Sequence, residues 1–158
     1  MNIEFRKLTE INRSSLKDLM NNPLVRKQMP LFTGAFDDEA LDNFIEAKMS
    51  LWKNHGLGPW AFVIEGEFAG WGGIQPEDGD YDLALVLHPN FWGFGKMLYQ
   101  QIVEKTFKNH QIPSITVLFP PSRSKVNGLK KLGFEEEGEV TIGDHRFNRF
   151  RLKNETLI

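Results

Sequence analysis

The residues of this chain best suited to chemistry are Trp92-Gly93-Phe94-Gly95-Lys96-Met97-Leu98, a glycine-rich turn between an apolar strand and an amphipathic helix. Glycines let the backbone bend tightly and approach a ligand without a Cβ in the way, and the first N–H groups of a helix have no intrahelical acceptor. Together they suit an anion, above all a phosphate. Two common phosphate loops do not fit the letters. A Walker loop needs a glycine five residues before its Gly-Lys pair and a hydroxyl after it, where this chain has Asn90 and Met97. A dinucleotide fingerprint needs a third glycine, where the chain has Leu98. The turn by itself leaves two readings, another phosphate-bearing ligand or a helix start that needs glycine only for its bend.

Other chemistries are thinly represented. The chain has no cysteine, which excludes disulfides, a thiol nucleophile and thiolate metal sites. Its histidines, His55, His88, His110 and His145, show no ligand spacing, so no metal is expected. The 19 basic and 21 acidic residues give a net charge of −2, so neither a nucleic acid nor an anionic membrane is the expected partner. With 158 residues, 41% of them hydrophobic, and no internal repeat, one domain over residues 1–158 with a sizeable core is expected. The first ten residues alternate polar and apolar, without the apolar run of a secretory signal, and a cytoplasmic protein is the expectation.

The elements that must position the turn follow from periodicity. Ile3 and Phe5 alternate with polar residues as in a strand, and Ser14-Ser15 precede a short helix through Leu16, Leu19 and Met20, ended by Asn21-Asn22-Pro23. Asp37-Asp38 suit the start of a longer helix, with Leu41, Phe44, Ile45, Lys48 and Trp52 at helical spacing, stopped at residues 56–59. Strands at residues 60–65 and 68–74 flank a hairpin signal at Gly66-Glu67, and residues 75–80 read as a polar connection to a strand at 82–88. After the glycine turn comes a helix through Leu98, Ile102, Val103, Thr106 and Phe107. A β-branched strand at 115–119 follows, then Pro120-Pro121, a helix bearing Val126, Leu129 and Leu132, and Gly133 as its C-terminal cap. Residues 134–141 and 145–152 close the chain as a hairpin; Phe147 and Phe150 differ in parity, which predicts a bulge or two covered faces. The resulting order, β-α-α-β-β-β-α-β-α-β-β, is an α/β mixed sheet with helices on both sides.

In that order and spacing the chain resembles the GNAT acyl-CoA acyltransferase superfamily. Its pyrophosphate loop, Arg/Gln-x-x-Gly-x-Gly/Ala between the fourth strand and the next helix, falls on Trp92-Gly93-Phe94-Gly95-Lys96-Met97. Gly66-Glu-Phe-Ala-Gly-Trp-Gly-Gly73 and Leu129-Lys-Lys-Leu-Gly-Phe134 are also similar to family segments. Pro89-Asn90-Phe91-Trp92 and Asn22-Pro-Leu-Val-Arg-Lys-Gln-Met-Pro30 resemble the branch that includes ribosomal-protein N-terminal alanine acetyltransferases. Three letters depart: Met97 replaces the loop's second small residue, Ser122 stands in place of a CoA-contacting asparagine, and Leu129 in place of a tyrosine that protonates the leaving thiolate.

The resemblance implies a largely antiparallel, twisted sheet of about six or seven strands with about four helices, in which strands four and five splay apart. It implies acetyl-CoA as acyl donor, its pantetheine arm beside Leu85, Val86 and Leu87 like an added strand. The phosphates would rest on the amides of residues 94–98, beside Trp92, Gly93, Phe94, Gly95, Lys96, Met97 and Leu98, with Ser122, Ser124 and Asn127 as further CoA contacts. Asp82 matches a position where relatives carry a glutamate base, its alternative being a solvated carboxylate beside Asp80; Ser122 or Ser124 could orient CoA or donate to the thiolate, or cap a helix. The acceptor pocket would be lined by the N-terminal helices and the last hairpin, with Met29, Phe32, Phe36, Trp60, Trp71 and His145 as candidates. Residues 135–139 form an acidic cluster that could attract a cationic acceptor or serve as a soluble edge. The implied activity is acetyl transfer to a primary amine, a protein N-terminus or a small amine, by direct attack in a ternary complex, in a monomer or homodimer. A non-catalytic acyl-CoA-binding module is the alternative, and a nucleotide-binding domain a third.

Overall fold

In a computed structural model describing residues 2–121 and 127–155, three helices start at side chains that cap them. Asn12 accepts from the N–H groups of Ser14 and Ser15 and opens α1 (Arg13–Asn21), one residue ahead of the expected serine start. Asn22 does the same for Leu24 and Val25 and opens α2 (Pro23–Arg26), a single turn that the sequence reading takes only as the end of α1. Proline is suited to a first helical position, where its missing N–H has no partner to lose. Asp37 accepts from Ala40 and opens α3 (Asp38–His55), which ends at the left-handed Gly56.

The strands are β1 (Ile3–Arg6), β2 (Pro59–Ile64), β3 (Glu67–Glu77), β4 (Asp80–Leu87), β5 (Ser114–Phe119), β6 (Glu135–Ile142) and β7 (His145–Lys153). Helix α4 (Gly95–Asn109) joins β4 to β5, and α5 (Asn127–Lys131) precedes β6. They form one seven-stranded sheet in the order β1-β2-β3-β4-β5-β7-β6. Every neighbouring pair is antiparallel except β4 with β5.

Strand β3 is longer than expected. Residues 75–77 are not a connection but its end, because Asp78-Gly79 turns the chain with φ of 50° and 84°, the two positive angles of a type I′ hairpin. The extension places Gln75 opposite Asp82 and Glu77 opposite Asp80. Farther along, Gly72 lies opposite Leu85; a Cβ there would come within 2.6 Å of the Ala84 carbonyl oxygen, so glycine keeps β3 flush against β4.

Two apolar layers cover the sheet. One packs Phe62, Ile74, Leu83, Leu87 and Phe150 against Leu98, Tyr99 and Ile102 of α4. The other packs Ala61 and Trp71 against Leu16, Leu19, Met20 and Leu41 of α1 and α3. Strand β4 divides its side chains between them, with Leu83, Leu85 and Leu87 toward α4 and Ala84 and Val86 toward α1–α3. Phe147 and Phe150 are both buried, and the expected bulge is present on the facing strand β6, where Glu137 is the extra residue between Glu136 and Gly138.

Candidate active site

The turn after β4 is built differently from a simple glycine bend. Residues Pro89–Phe94 form a 3₁₀ segment and α4 begins at Gly95, whose φ of −55° and ψ of −49° any residue can adopt. Gly93 has no positive φ either. The bend therefore does not require glycine, contrary to that part of the sequence reading, and open space is what remains: a Cβ on Gly93 would meet nothing within 4 Å. Unlike α1, α2 and α3, helix α4 has no side-chain cap, its N-cap residue being Phe94. The Gly95 N–H donates to the Trp92 carbonyl, Gly93, Lys96 and Met97 are exposed, and Leu98 is buried in the core. Trp92 folds back, its exposed ring donating Nε1–H to the Leu87 carbonyl at 2.9 Å. The Lys96 stem runs beside Gly128, so Asn127 at the start of α5 lies close to the start of α4.

This helix start adjoins a break in the sheet. The N–H of His88 donates to the Ala69 carbonyl, so the even-numbered residues of β4 exchange bonds with β3. Leu83, Leu85 and Leu87 then turn their N–H and C=O groups toward β5. Asp82 with Thr116 is the β4–β5 register pair, and beyond it the strands have none among the described residues. Leu85 and the Leu87 N–H thus present strand-edge groups to a gap that runs toward α4, while the Leu87 carbonyl is taken by the Trp92 indole.

Asp82 lies at the closed end of that gap, on the sheet face toward α1–α3. Burial raises its carboxyl to about 7; the hydrogen bond from Thr116 Oγ1, at 3.1 Å, opposes this, Glu77 and Asp80 add to it, and Arg149 opposes it. Next to it lies an ion-pair network across β5. Arg151 contacts Asp80 Oδ1 at 3.0 Å, Ser114 Oγ at 2.6 Å and Glu137, while Arg149 is 3.3 Å from Glu137 Oε2 and 3.7 Å from Asp80 Oδ2. The bulge at Glu137 lets one carboxylate serve both arginines. On the other side, Lys48 of α3 donates Nζ–H to Gln75 Oε1 and lies 5.3 Å and 5.4 Å from the ring centres of Trp71 and Phe44. Burial lowers its pKa from the ordinary lysine value, with Glu77 opposing.

Of the proposed acceptor residues, Met29, Phe32 and Trp71 meet on the α1–α3 face, where Val86 also packs. Arg26 fixes that loop by donating to the carbonyls of Phe32 and Gly34, with its guanidinium 4.9 Å from the Phe32 ring centre. Phe36 is buried at 2% exposure and acts as packing beneath Phe32. Trp60 is not brought to them; it lies on the opposite face against Phe5, and exposed His145 sits at the distal hairpin. Ser122 and Ser124 lie outside the described residues. Sequence reasoning missed Gln75, Thr116, Arg149 and Arg151, which only strand register assembles, and assigned Lys48 only to a helical pattern. A shallow cavity of about 340 Å³, lined in part by His55, Tyr81 and His110, lies at the other end of β4 and away from the gap. No group of side chains suited to a metal ion occurs, and no helix is long and apolar enough to cross a membrane, among the described residues.

Comparison with known proteins agrees with this fold. No curated protein sequence matches the chain. Among solved structures, a GNAT-family acetyltransferase from Bacillus anthracis is similar with a TM-score of 0.78 at 17% identity, covering 98% of this chain and 96% of that one. A spermidine N-acetyltransferase from Vibrio cholerae, in complex with CoA and spermine, is similar with a TM-score of 0.76 at 14% identity, over 98% and 97% of the two chains. An aminoglycoside acetyltransferase in complex with coenzyme A gives a TM-score of 0.74 at 18% identity, over 98% and 96%. These likenesses establish the mixed α/β fold with its parallel β4–β5 pair. The family described as acetyltransferase (GNAT) domain matches residues 2–135, and the chain belongs to that family.

Proposed function

We propose that this protein transfers an acetyl group from acetyl-CoA to a primary amine, with donor and acceptor meeting at the β4–β5 gap. The observation that carries the reading is the continuity of three features: Asp82 at the closed end, the β4 edge at Leu85 and the Leu87 N–H, which has no β5 register partner among the described residues, and the start of α4 without a side-chain cap. The pantetheine arm takes the place of the absent strand, and the phosphates take the amides of residues 94–98, with Lys96, Asn127 and the Trp92 ring at the rim.

The chemistry then falls to few groups. The amine approaches from the α1–α3 face, over Ala84 and Val86, which are half-buried and open to a ligand. The Leu85 N–H points into the gap, where a donor can meet the carbonyl oxygen as it gains charge. Asp82 takes the proton that the amine loses. Three residues of strand separate it from Leu85, roughly 10 Å, more than one water spans, so a short chain of waters relays the proton. Leu129 is buried and apolar and supplies no proton to the thiolate, which leaves as the anion of a thiol with an ordinary pKa of about 8.5.

The acceptor is a protein N-terminus or a small amine. The segments resembling the N-terminal alanine acetyltransferases support the first, and the similarity to spermidine and aminoglycoside acetyltransferases supports the second. We place the protein in the cytoplasm, as one domain, working as a monomer or homodimer. The test is release of CoA thiol from acetyl-CoA across a broad panel of amines. At least one amine should raise release well above background. Acetyl-CoA binding with no amine-dependent release would instead establish the non-catalytic acyl-CoA-binding module.

A further inference from the structure

On the acceptor face, Lys48 is a cation with no counter-ion among the described residues; Arg26, which also makes no ion pair there, is held by two loop carbonyls and the Phe32 ring. Arg149 and Arg151 are each held by Asp80 and Glu137, so their charges are met within the fold. Lys48 makes no ion pair within 4 Å among the described residues. Its polar partner is the neutral amide of Gln75, and two aromatic faces, Phe44 and Trp71, complete its surroundings. Glu77, the acid that acts on it through space, is exposed and shares the face with Asp82. A half-buried ammonium that gives up water for an amide and two rings is a charge awaiting an anion.

Register fixes where that anion would lie. Gln75 pairs with Asp82, Gly73 with Ala84 and Trp71 with Val86, so Lys48 stands over β3 beside the β4 residues that the amine must pass. The space over Gly73 is taken by the Gly58 carbonyl, 2.3 Å from where a Cβ would sit, so the way from Lys48 to the gap runs over half-buried Ala84, which carries a single methyl. Adjacent strands are about 4.8 Å apart, so the ammonium lies roughly one to two strand spacings, about 5–10 Å, from the reacting centre.

We infer that Lys48 selects acceptors that carry an acidic group several bonds from the amine, so that the substrate is a small amino acid-like anion rather than a polyamine. The inference rests on the acetyltransferase reading and narrows it. The acceptor's carboxylate, or an equivalent anion, pairs with Lys48 Nζ along Gln75, while its amine reaches the gap beside Asp82. A diamine of equal length places a second ammonium against Lys48 and is rejected by like charge. The other charged groups of this face come from α2 (Arg26, bonded to the loop carbonyls of Phe32 and Gly34), β3 (Glu77), β4 (Asp80 and Asp82), β6 (Glu137) and β7 (Arg149 and Arg151), and of the cations Lys48 is the one bonded to Gln75 opposite Asp82.

The test is kcat/KM, by CoA thiol release, for amines matched in length: 4-aminobutyrate and 5-aminovalerate against butylamine, putrescine and cadaverine. At least one amino acid should exceed its matched alkylamine and diamine by about tenfold or more, the range of a charge-assisted contact. Lys48→Met should remove that margin, read as the ratio of amino acid to butylamine within the same variant, Lys48→Arg should retain most of it, and Lys48→Glu should favour the diamines. Turnover of amines with no advantage for the acidic ones, or an advantage that survives in Lys48→Met, overturns the inference and leaves the acetyltransferase reading intact. A panel in which no amine reacts, acidic or otherwise, removes that reading and this inference together.

Discussion

Replacing Asp82 with asparagine should lower kcat/KM by about 100-fold to 10,000-fold and make the enzyme more stable at alkaline pH. The first effect is that of losing a positioned base. In the wild type the acidic limb of kcat/KM should fall near the value to which Asp82 is raised, about 7, with activity rising as the carboxyl ionises. Asp82→Asn should lose that limb, and Thr116→Val should move it to higher pH, because the hydroxyl donates to the charged form. The stability effect has the opposite sign to that of a salt-bridged aspartate. The folded-state pKa of about 7 lies above the unfolded value near 3.9, so ionisation is disfavoured by folding, and wild-type stability declines as pH rises from about 4 to 7. Above pH 7 the ionised carboxylate costs on the order of 4 kcal/mol relative to water. Urea midpoints at pH 5 and pH 8 read this directly: asparagine should gain over aspartate at the higher pH. A pH–rate profile that keeps its acidic limb in Asp82→Asn would remove Asp82 as the base.

The second large effect lies at the other end of the gap. Gly95→Asp should weaken acetyl-CoA binding on the order of 100-fold while leaving the fold intact. Gly95 has helical backbone angles, and the closest atom to an added Cβ is Leu87 Cδ1 at 4.0 Å, so the side chain fits. An acidic residue in the first turn of a helix is itself favourable. The loss therefore isolates repulsion between the carboxylate and the pyrophosphate. Two unit charges about 4 Å apart interact by about 4 kcal/mol near a protein surface, and exposure at this rim reduces it. Gly95→Asn, uncharged and of the same shape, should lose much less. Calorimetric titration of both variants measures the contrast, and an unchanged affinity for Gly95→Asp would mean that the phosphates lie elsewhere.

Much of the frame was legible in the chain because its signals are local. Asp37 caps its helix and Gly133 takes a positive φ of 103°; the apolar run of β4 and the amphipathic helix after Gly95 depend on residues a few positions apart. Two local signals went unread: Asn22-Pro23, which both ends α1 and begins α2, and Asp78-Gly79, a hairpin turn that lengthens β3. The second omission hid more than a boundary. Without residues 75–77 in β3, Gln75 has no place opposite Asp82, and Lys48 has no partner at the site.

What the sequence withheld is mostly register. Thr116 reaches Asp82 from 34 residues away, Arg151 reaches Asp80 from 71, and no periodicity within either strand announces those pairs. Trp60 and Trp71 show the same limit. Both are aromatic and both suit a pocket, but antiparallel pairing sends them to opposite faces of the sheet. Lys48 carried a readable clue, a lysine on the apolar stripe of α3 with Phe44 and Trp52 at helical spacing.

The central claim is that acetyl-CoA lies in the β4–β5 gap with its phosphates on the start of α4. Titration of acetyl-CoA into the ¹⁵N-labelled protein, followed by amide NMR, tests it most directly. The predicted result is that the largest shifts fall on the amides of residues 94–98 and on those of Leu85 and Leu87, whose N–H groups face the gap. Saturable binding with those amides unmoved, or shifts centred at the far end of β4, would contradict it.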